Sequence, residues 1–146
     1  MRRRILGLAS ALALLALPAC GGEEGGGATF AVDRQALLDR GLLSLVVEPY
    51  AGEDLSGGLV DCDRLVRAYD ATTDFSPIGA SQVIELSGEN SVTVEIPDLQ
   101  PGIAFFLVVG YDGAGGIGTI TQAGCGEAVI RRGEKSAVTV ALRDVP

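Results

Sequence analysis

Residues 91–111, SVTVEIPDLQPGIAFFLVVGY, confine the chain to a β architecture more firmly than any other stretch. Residues 91–96 alternate without a break. Val92, Val94 and Ile96 fall on one face and Ser91, Thr93 and Glu95 on the other, the period-two pattern of a half-buried strand. Pro97 is expected to stop that strand, because it has no N–H to give to a ladder. Gln100-Pro101-Gly102-Ile103 fits a type II turn, with Pro at its second position and Gly where a positive φ is needed. Residues 103–111 are then apolar on both faces. Such a strand must be covered on both sides, so it is expected at the centre of the sheet, with Phe105 and Phe106 in the core.

The rest of the chain supplies partners for it. Residues 28–32 form a short β-like run. Residues 42–48 read as a strand ended by Pro49, with Leu43, Leu45 and Val47 inward and Ser44 and Glu48 on the opposite face. In residues 82–86, Ile84 and Leu86 point inward, and Gly88-Glu89-Asn90 turns the chain. Residues 119–121 and 127–130 read as two short strands on either side of Gly124-Cys125-Gly126. The last strand is expected over 136–142, with Val138, Val140 and Leu142 inward. Two segments break the pattern. Residues 33–40 suggest a brief helical turn between an Asp33 N-cap and Gly41. Residues 61–70 form the one convincing helix, capped by Asp61, with Cys62, Leu65, Val66 and Tyr69 on one face. Short strands separated by Pro/Gly turns give the fold class: mainly β, an antiparallel β-sandwich with one short helix.

Charge and residue inventory narrow the chemistry. The chain has 19 acidic and 11 basic residues, a net charge of −8. A polyanionic partner such as nucleic acid is therefore disfavoured. The chain contains no histidine. That removes the usual base for Ser or Cys nucleophiles and all His-based metal sites. Lys135 is the sole lysine, and its neighbour Ser136 would face the other way in a strand. A non-enzymatic protein without a cofactor is expected. Gly113-Ala114-Gly115-Gly116-Ile117-Gly118 matches G-x-G-x-x-G by letter. A dinucleotide site would need a helix opening there, and the β-branched residues that follow predict a strand instead. Glu53, Asp54, Asp61, Asp63, Asp70 and Asp74 are an acidic group from which a calcium site could be drawn, but no D-x-D-x-D-G loop is present, so solvated loop and helix-end charge is the favoured reading. Tyr50 and Tyr111, near strand ends, are open to a binding role.

The N-terminus gives an address. Arg2, Arg3 and Arg4 precede a long uncharged run. At about 13 residues the run is short of the ~20 that a stable membrane span needs. A small residue, Ala19, then stands before Cys20, completing the order of a secretory signal peptide. Leu17-Pro18-Ala19-Cys20, followed by Gly21, resembles the lipobox of bacterial lipoproteins. That resemblance implies cleavage before Cys20, lipid on the Cys20 thiol and, with Gly21 rather than Asp next to it, export to the outer membrane. It divides the chain into a signal peptide (1–19), a lipidated Cys20 with a Gly-rich tether (20–27) and a sandwich domain (28–146). Cleavage would remove Arg2, Arg3 and Arg4 but no acidic residue, so the mature chain would be more acidic still. With Cys20 occupied, Cys62 and Cys125 are left as an even pair in a compartment where disulfides persist, and a Cys62–Cys125 bridge is expected.

Residues 91–143 also resemble immunoglobulin-like or transthyretin-like sandwich domains of bacterial surface lipoproteins, on VTVEIPDLQPGIAFFLVVGYD and the closing GEKSAVTVAL. This implies a fold and assigns no site residues. The expectation is a membrane-anchored envelope lipoprotein, held to the bilayer at Cys20, that binds another envelope protein. The alternative is a calcium- or small-ligand-binding surface module that uses the acidic loops.

Overall fold

A computed structural model describes residues 25–88 and 91–146. The expected signal peptide, Cys20, the first part of the tether and two residues of the 88–90 turn lie outside the described residues. The described elements are β1 (Gly26–Asp33), α1 (Arg34–Leu38), β2 (Ser44–Asp54), α2 (Cys62–Arg67), β3 (Phe75–Pro77), β4 (Gln82–Glu85), β5 (Ser91–Leu99), β6 (Gly102–Tyr111), β7 (Ile120–Ile130), β8 (Lys135–Ala137) and β9 (Arg143–Asp144). They form two sheets. The smaller runs β5-β1-β8, and the larger runs β3-β2-β6-β7-β9 with β4 also on β2. The sandwich inferred from the alternation is therefore present. One pairing, β1 with β8, is parallel; the others described are antiparallel.

β6 is central, as its unbroken apolar run requires, with β2 and β7 on either side. Ala104, Phe106 and Val108 face the space between the sheets, where they meet Phe30 of β1 and Leu45 and Val47 of β2. Phe105, Leu107 and Val109 face outward into a second core, closed by Leu65 of α2 and Phe75. Gly102 takes the positive φ expected of it, 136°. Its turn carries the chain from the smaller sheet to the larger one, because β5 and β6 do not pair.

Several boundaries differ from the sequence reading. β1 begins at Gly26, before the expected Ala28. β2 passes through Pro49 and on to Asp54. The Pro49 carbonyl accepts from Ile78 N on the side away from β6, so its missing N–H takes nothing from the β2–β6 ladder. β5 likewise passes Pro97. It is an edge strand, and the pairing slips there from Ala28↔Ile96 to Gly26↔Leu99. This bulge absorbs the proline and the Asp98 φ of 60°. Leu43 is exposed, whereas Ser44 is fully buried.

The two strands expected around Gly124-Cys125-Gly126 are one, β7. A Cβ on Gly124 would lie 2.4 Å from the Ala141 oxygen, and one on Gly126 would lie 2.5 Å from the Thr139 oxygen. These glycines therefore sit inside a strand because another stretch of backbone crosses it closely. That backbone is the expected last strand, 136–142. Only its start pairs, as β8 on β1. The chain then leaves the smaller sheet, crosses β7 and joins the larger sheet as β9.

Among the described residues there are two short α-helices, the brief turn after Asp33 and the more convincing helix after Asp61. Asp33 and Asp61 cap them as anticipated. Asp33 accepts from Ala36 N at 3.0 Å, and Asp61 accepts from Arg64 N at 2.7 Å. α2 ends at Arg67, short of the expected Asp70.

Candidate functional site

The second core is built around the disulfide. Cys125 alternates with its flanking glycines, so it projects from the outer face of β7 while they face the crossing chain. Cys62 opens α2 beside it. The Cα atoms stand 5.3 Å apart, and the bridge spans a sequence separation of 63. That spacing lies within the usual range for a disulfide. The expected Cys62–Cys125 pair is thus formed, and it fastens α2 to the sheet. Cys62 and Val66 of α2, and Tyr69 just beyond its end, pack against this core, the set of residues that the sequence placed on one helical face.

Two residues of the acidic group, Asp54 and Asp61, hold the chain with their side chains. Asp54 pairs with Arg64 at 2.7 Å and accepts from Ser56 N, Ser56 Oγ and Gly58 N. The Arg64 guanidinium first, then the Ser56 hydroxyl and the Gly58 amide, hold the Asp54 carboxyl well below the usual carboxylate range. Arg64 also donates to the Leu59 carbonyl. Its guanidinium lies 5.5 Å from the Phe75 ring centre, within cation–π reach. Asp61 caps α2, and Asp63 sits in its first turn. Among the described residues no three Asp, Glu, Cys or His side chains come together in a way that could hold a metal ion, so Glu53, Asp70 and Asp74 do not complete a ligand set.

Tyr50, open to a binding role from the sequence, is a core residue at 4% exposure, with its ring edge-on to Phe75. It donates to Glu48 Oε2 at 2.7 Å. Burial, reinforced by that carboxylate, raises its hydroxyl from the ordinary 10 to about 12. Tyr111 is half-buried against the same core, and burial, then the Glu48 charge, raises it too. The 113–118 loop is no phosphate cradle. Ser44 Oγ accepts from Gly116 N and donates to the Gly113 carbonyl, Glu85 accepts from Gly115 N, and a strand follows. The role of Ser44 as the buried peg of this loop was not legible from a position that alternation assigned to the polar face. Lys135 pairs with Glu95 at 2.8 Å, while Ser136 donates to the Val129 carbonyl, so the two do not form a catalytic couple.

A concave feature lies on the other side of the molecule's larger sheet. Where residues 138–142 diverge from β1, a cleft of about 500 Å³ opens into the sandwich. Leu45, Val47 and Val108 form its floor, β1 and the 138–142 segment are its walls, and α1 with the turn after it closes one end with Leu37 and Arg40. Arg40 Nη2 donates to the Leu142 carbonyl at 3.1 Å, which ties the end of the 138–142 segment to the turn after α1. The only sequence signal of this arrangement was the alternate spacing of Gly124 and Gly126. Among the described residues no helix is long and apolar enough to cross a membrane. Comparison with protein-family models, with characterised proteins and with solved structures gives no match.

Proposed function

We propose that this is a lipid-anchored lipoprotein of the outer membrane whose sandwich domain, of the immunoglobulin-like or transthyretin-like kind, binds another envelope protein and catalyses no reaction. The observation that carries the reading is Leu17-Pro18-Ala19-Cys20-Gly21 behind an arginine-led apolar run. Diacylation at Cys20 would supply stable attachment, since each buried methylene contributes ~0.8 kcal/mol and two chains suffice where one is marginal. The Cys62–Cys125 disulfide supports an exported location, because such bonds persist in oxidising compartments. The cleft beside β1 supports a binding role.

The test is substitution of the anchor. Cys20→Ser should abolish labelling by a radiolabelled fatty acid and move the protein from the detergent phase to the aqueous phase. A variant that still partitions with detergent would remove the lipoprotein reading. Crosslinking in intact cells, followed by isolation of the wild-type chain, should enrich a defined envelope protein; recovery of the chain alone would remove the binding role.

A further inference from the structure

We propose that the cleft beside β1 is a strand-acceptor site, taking an extended segment of the protein partner with apolar side chains at alternate positions. This rests on the protein-binding reading above and specifies the site and the chemistry of what enters it. The first support is an unfinished ladder. β1 pairs with β5 along Ala28 to Asp33, but with β8 only at Gly27, Ala28 and Thr29. On the β8 side Gly27 N donates to the Glu134 carbonyl, and the Thr29 carbonyl accepts from Val138 N. Backbone groups of a strand alternate sides, so Ala31 and Asp33 present their N–H groups to that same side, where the ladder has stopped. The inward side chains of this stretch, Phe30 and Val32, are buried, and Ala31 and Asp33 are exposed, which is the orientation this assignment requires.

The second support is what occupies the neighbouring position. Residues 138–142 carry a strand's alternation, with Val138, Val140 and Leu142 inward, yet they do not continue the β8 pairing. They are held elsewhere. The Ala141 carbonyl lies over Gly124, Arg40 holds the Leu142 carbonyl, and β9 pairs with β7. The layer that β1 belongs to is thus one strand short over an apolar floor.

The two features together select the occupant. A hydrocarbon chain would match the floor, but it would cover the Ala31 N–H and carbonyl without bonding them, and unpaired buried backbone groups are unfavourable. An extended peptide satisfies both: its main chain pairs with the edge, and alternate side chains enter the cleft. The cleft lining holds one acid, Asp33, and one base, Arg40, so the preference for cationic flanks comes from long-range attraction to the chain's net charge of −8.

The experiment uses the full chain, extracted from membranes into phospholipid nanodiscs. It is titrated with a capped peptide of alternating valine and threonine carrying a lysine at each end. Binding should slow hydrogen exchange at the Ala31 amide. The same peptide N-methylated at alternate residues keeps its side chains but loses the pairing donors, and it should bind at least about tenfold more weakly. Ala31→Pro removes the N–H that faces the cleft and leaves the β5 side untouched, so a similar loss is expected; should this variant fail to fold, the N-methylated peptide still decides. Equal binding of the two peptides, binding without protection of Ala31, or no binding overturns the site. Peptide binding without any crosslinked envelope partner would sustain the site and remove the reading it rests on. A partner captured equally well by folded Ala31→Pro would sustain that reading and overturn this site.

Discussion

The two faces of β6 are both buried, yet they are covered in different ways. On the inner face the cover is a second sheet. Phe106 meets Phe30 edge-on, with ring centres 5.2 Å apart, and the neighbours come from strands whose alternation places them there. On the outer face the cover is the single connection between β2 and β3. Its helix, α2, spans only Cys62–Arg67. A helix of so few turns is not stable on its own. It is kept in place by a disulfide, an N-cap and the Asp54–Arg64 pair. The contrast teaches that a face lined by regular strands stabilises itself through packing, whereas a face under an irregular connection depends on specific fastenings.

This contrast can be broken, and the strongest test is on the inner face. Phe106 is a fully buried ring in the sheet-to-sheet core. Phe106→Ala should cost about 3–5 kcal/mol, read as a shift of the whole urea transition. A variant whose urea midpoint stays at the wild-type value, or whose transition splits in two, would contradict a single cooperative inner core. Next is the outer fastening. Replacing both Cys62 and Cys125 with Ser releases the long loop that their bridge closes. For a loop of that size chain entropy gives roughly 4 kcal/mol. Amide exchange should rise most in α2 and least in β1; a uniform rise would mean that the outer core has no independence.

A smaller effect is expected where the C-terminal segment crosses β7. Gly126→Ala puts a methyl group into the space held by the Thr139 carbonyl and the Val138 and Val140 side chains. Overpacking of this kind costs about 1–3 kcal/mol. Exchange should accelerate over 138–142 while α2 is unchanged. Asp61→Ala removes the cap of α2. It should cost about 1 kcal/mol, confined to that helix.

The subtlest separation is by pH, because the inner core consists of apolar residues and the outer one contains titrating groups. Tyr50 ionises near its ordinary 10 when unfolded and at about 12 when folded, so the folded state holds its proton longer. Its contribution is complete below pH ~10 and is lost as pH rises towards ~12. Asp54 has the opposite sign. Its folded carboxyl titrates below the ordinary range. Its contribution is therefore present at neutral pH and is lost as pH falls through the acid range. Tyr50→Phe should flatten the alkaline limb of stability against pH, and Asp54→Asn the acid limb. A limb that persists in its variant assigns it to another group.

Local chemistry carried much of the architecture. The period of residues 91–96, the doubly apolar run of β6, the inward Ile84 and Leu86 and the caps Asp33 and Asp61 each follow from side-chain spacing or from an adjacent backbone group, which a linear reading can see. The disulfide also came from the sequence, because two cysteines remained once Cys20 was set aside. The candidate site did not. Proline reads as a stop, but whether it ends a strand depends on which neighbour its missing N–H would have faced. This let β2 pass Pro49 and β5 pass Pro97. Glycine reads as a break, yet Gly124 and Gly126 are strand residues because residues 138–142 run across them. Those residues have a strand's pattern, and only the competition among β1, β7 and Arg40 for the same segment decided that it would pair with β1 briefly and then leave. The cleft exists because that competition was settled by contacts between residues far apart in the chain, which no local pattern encodes.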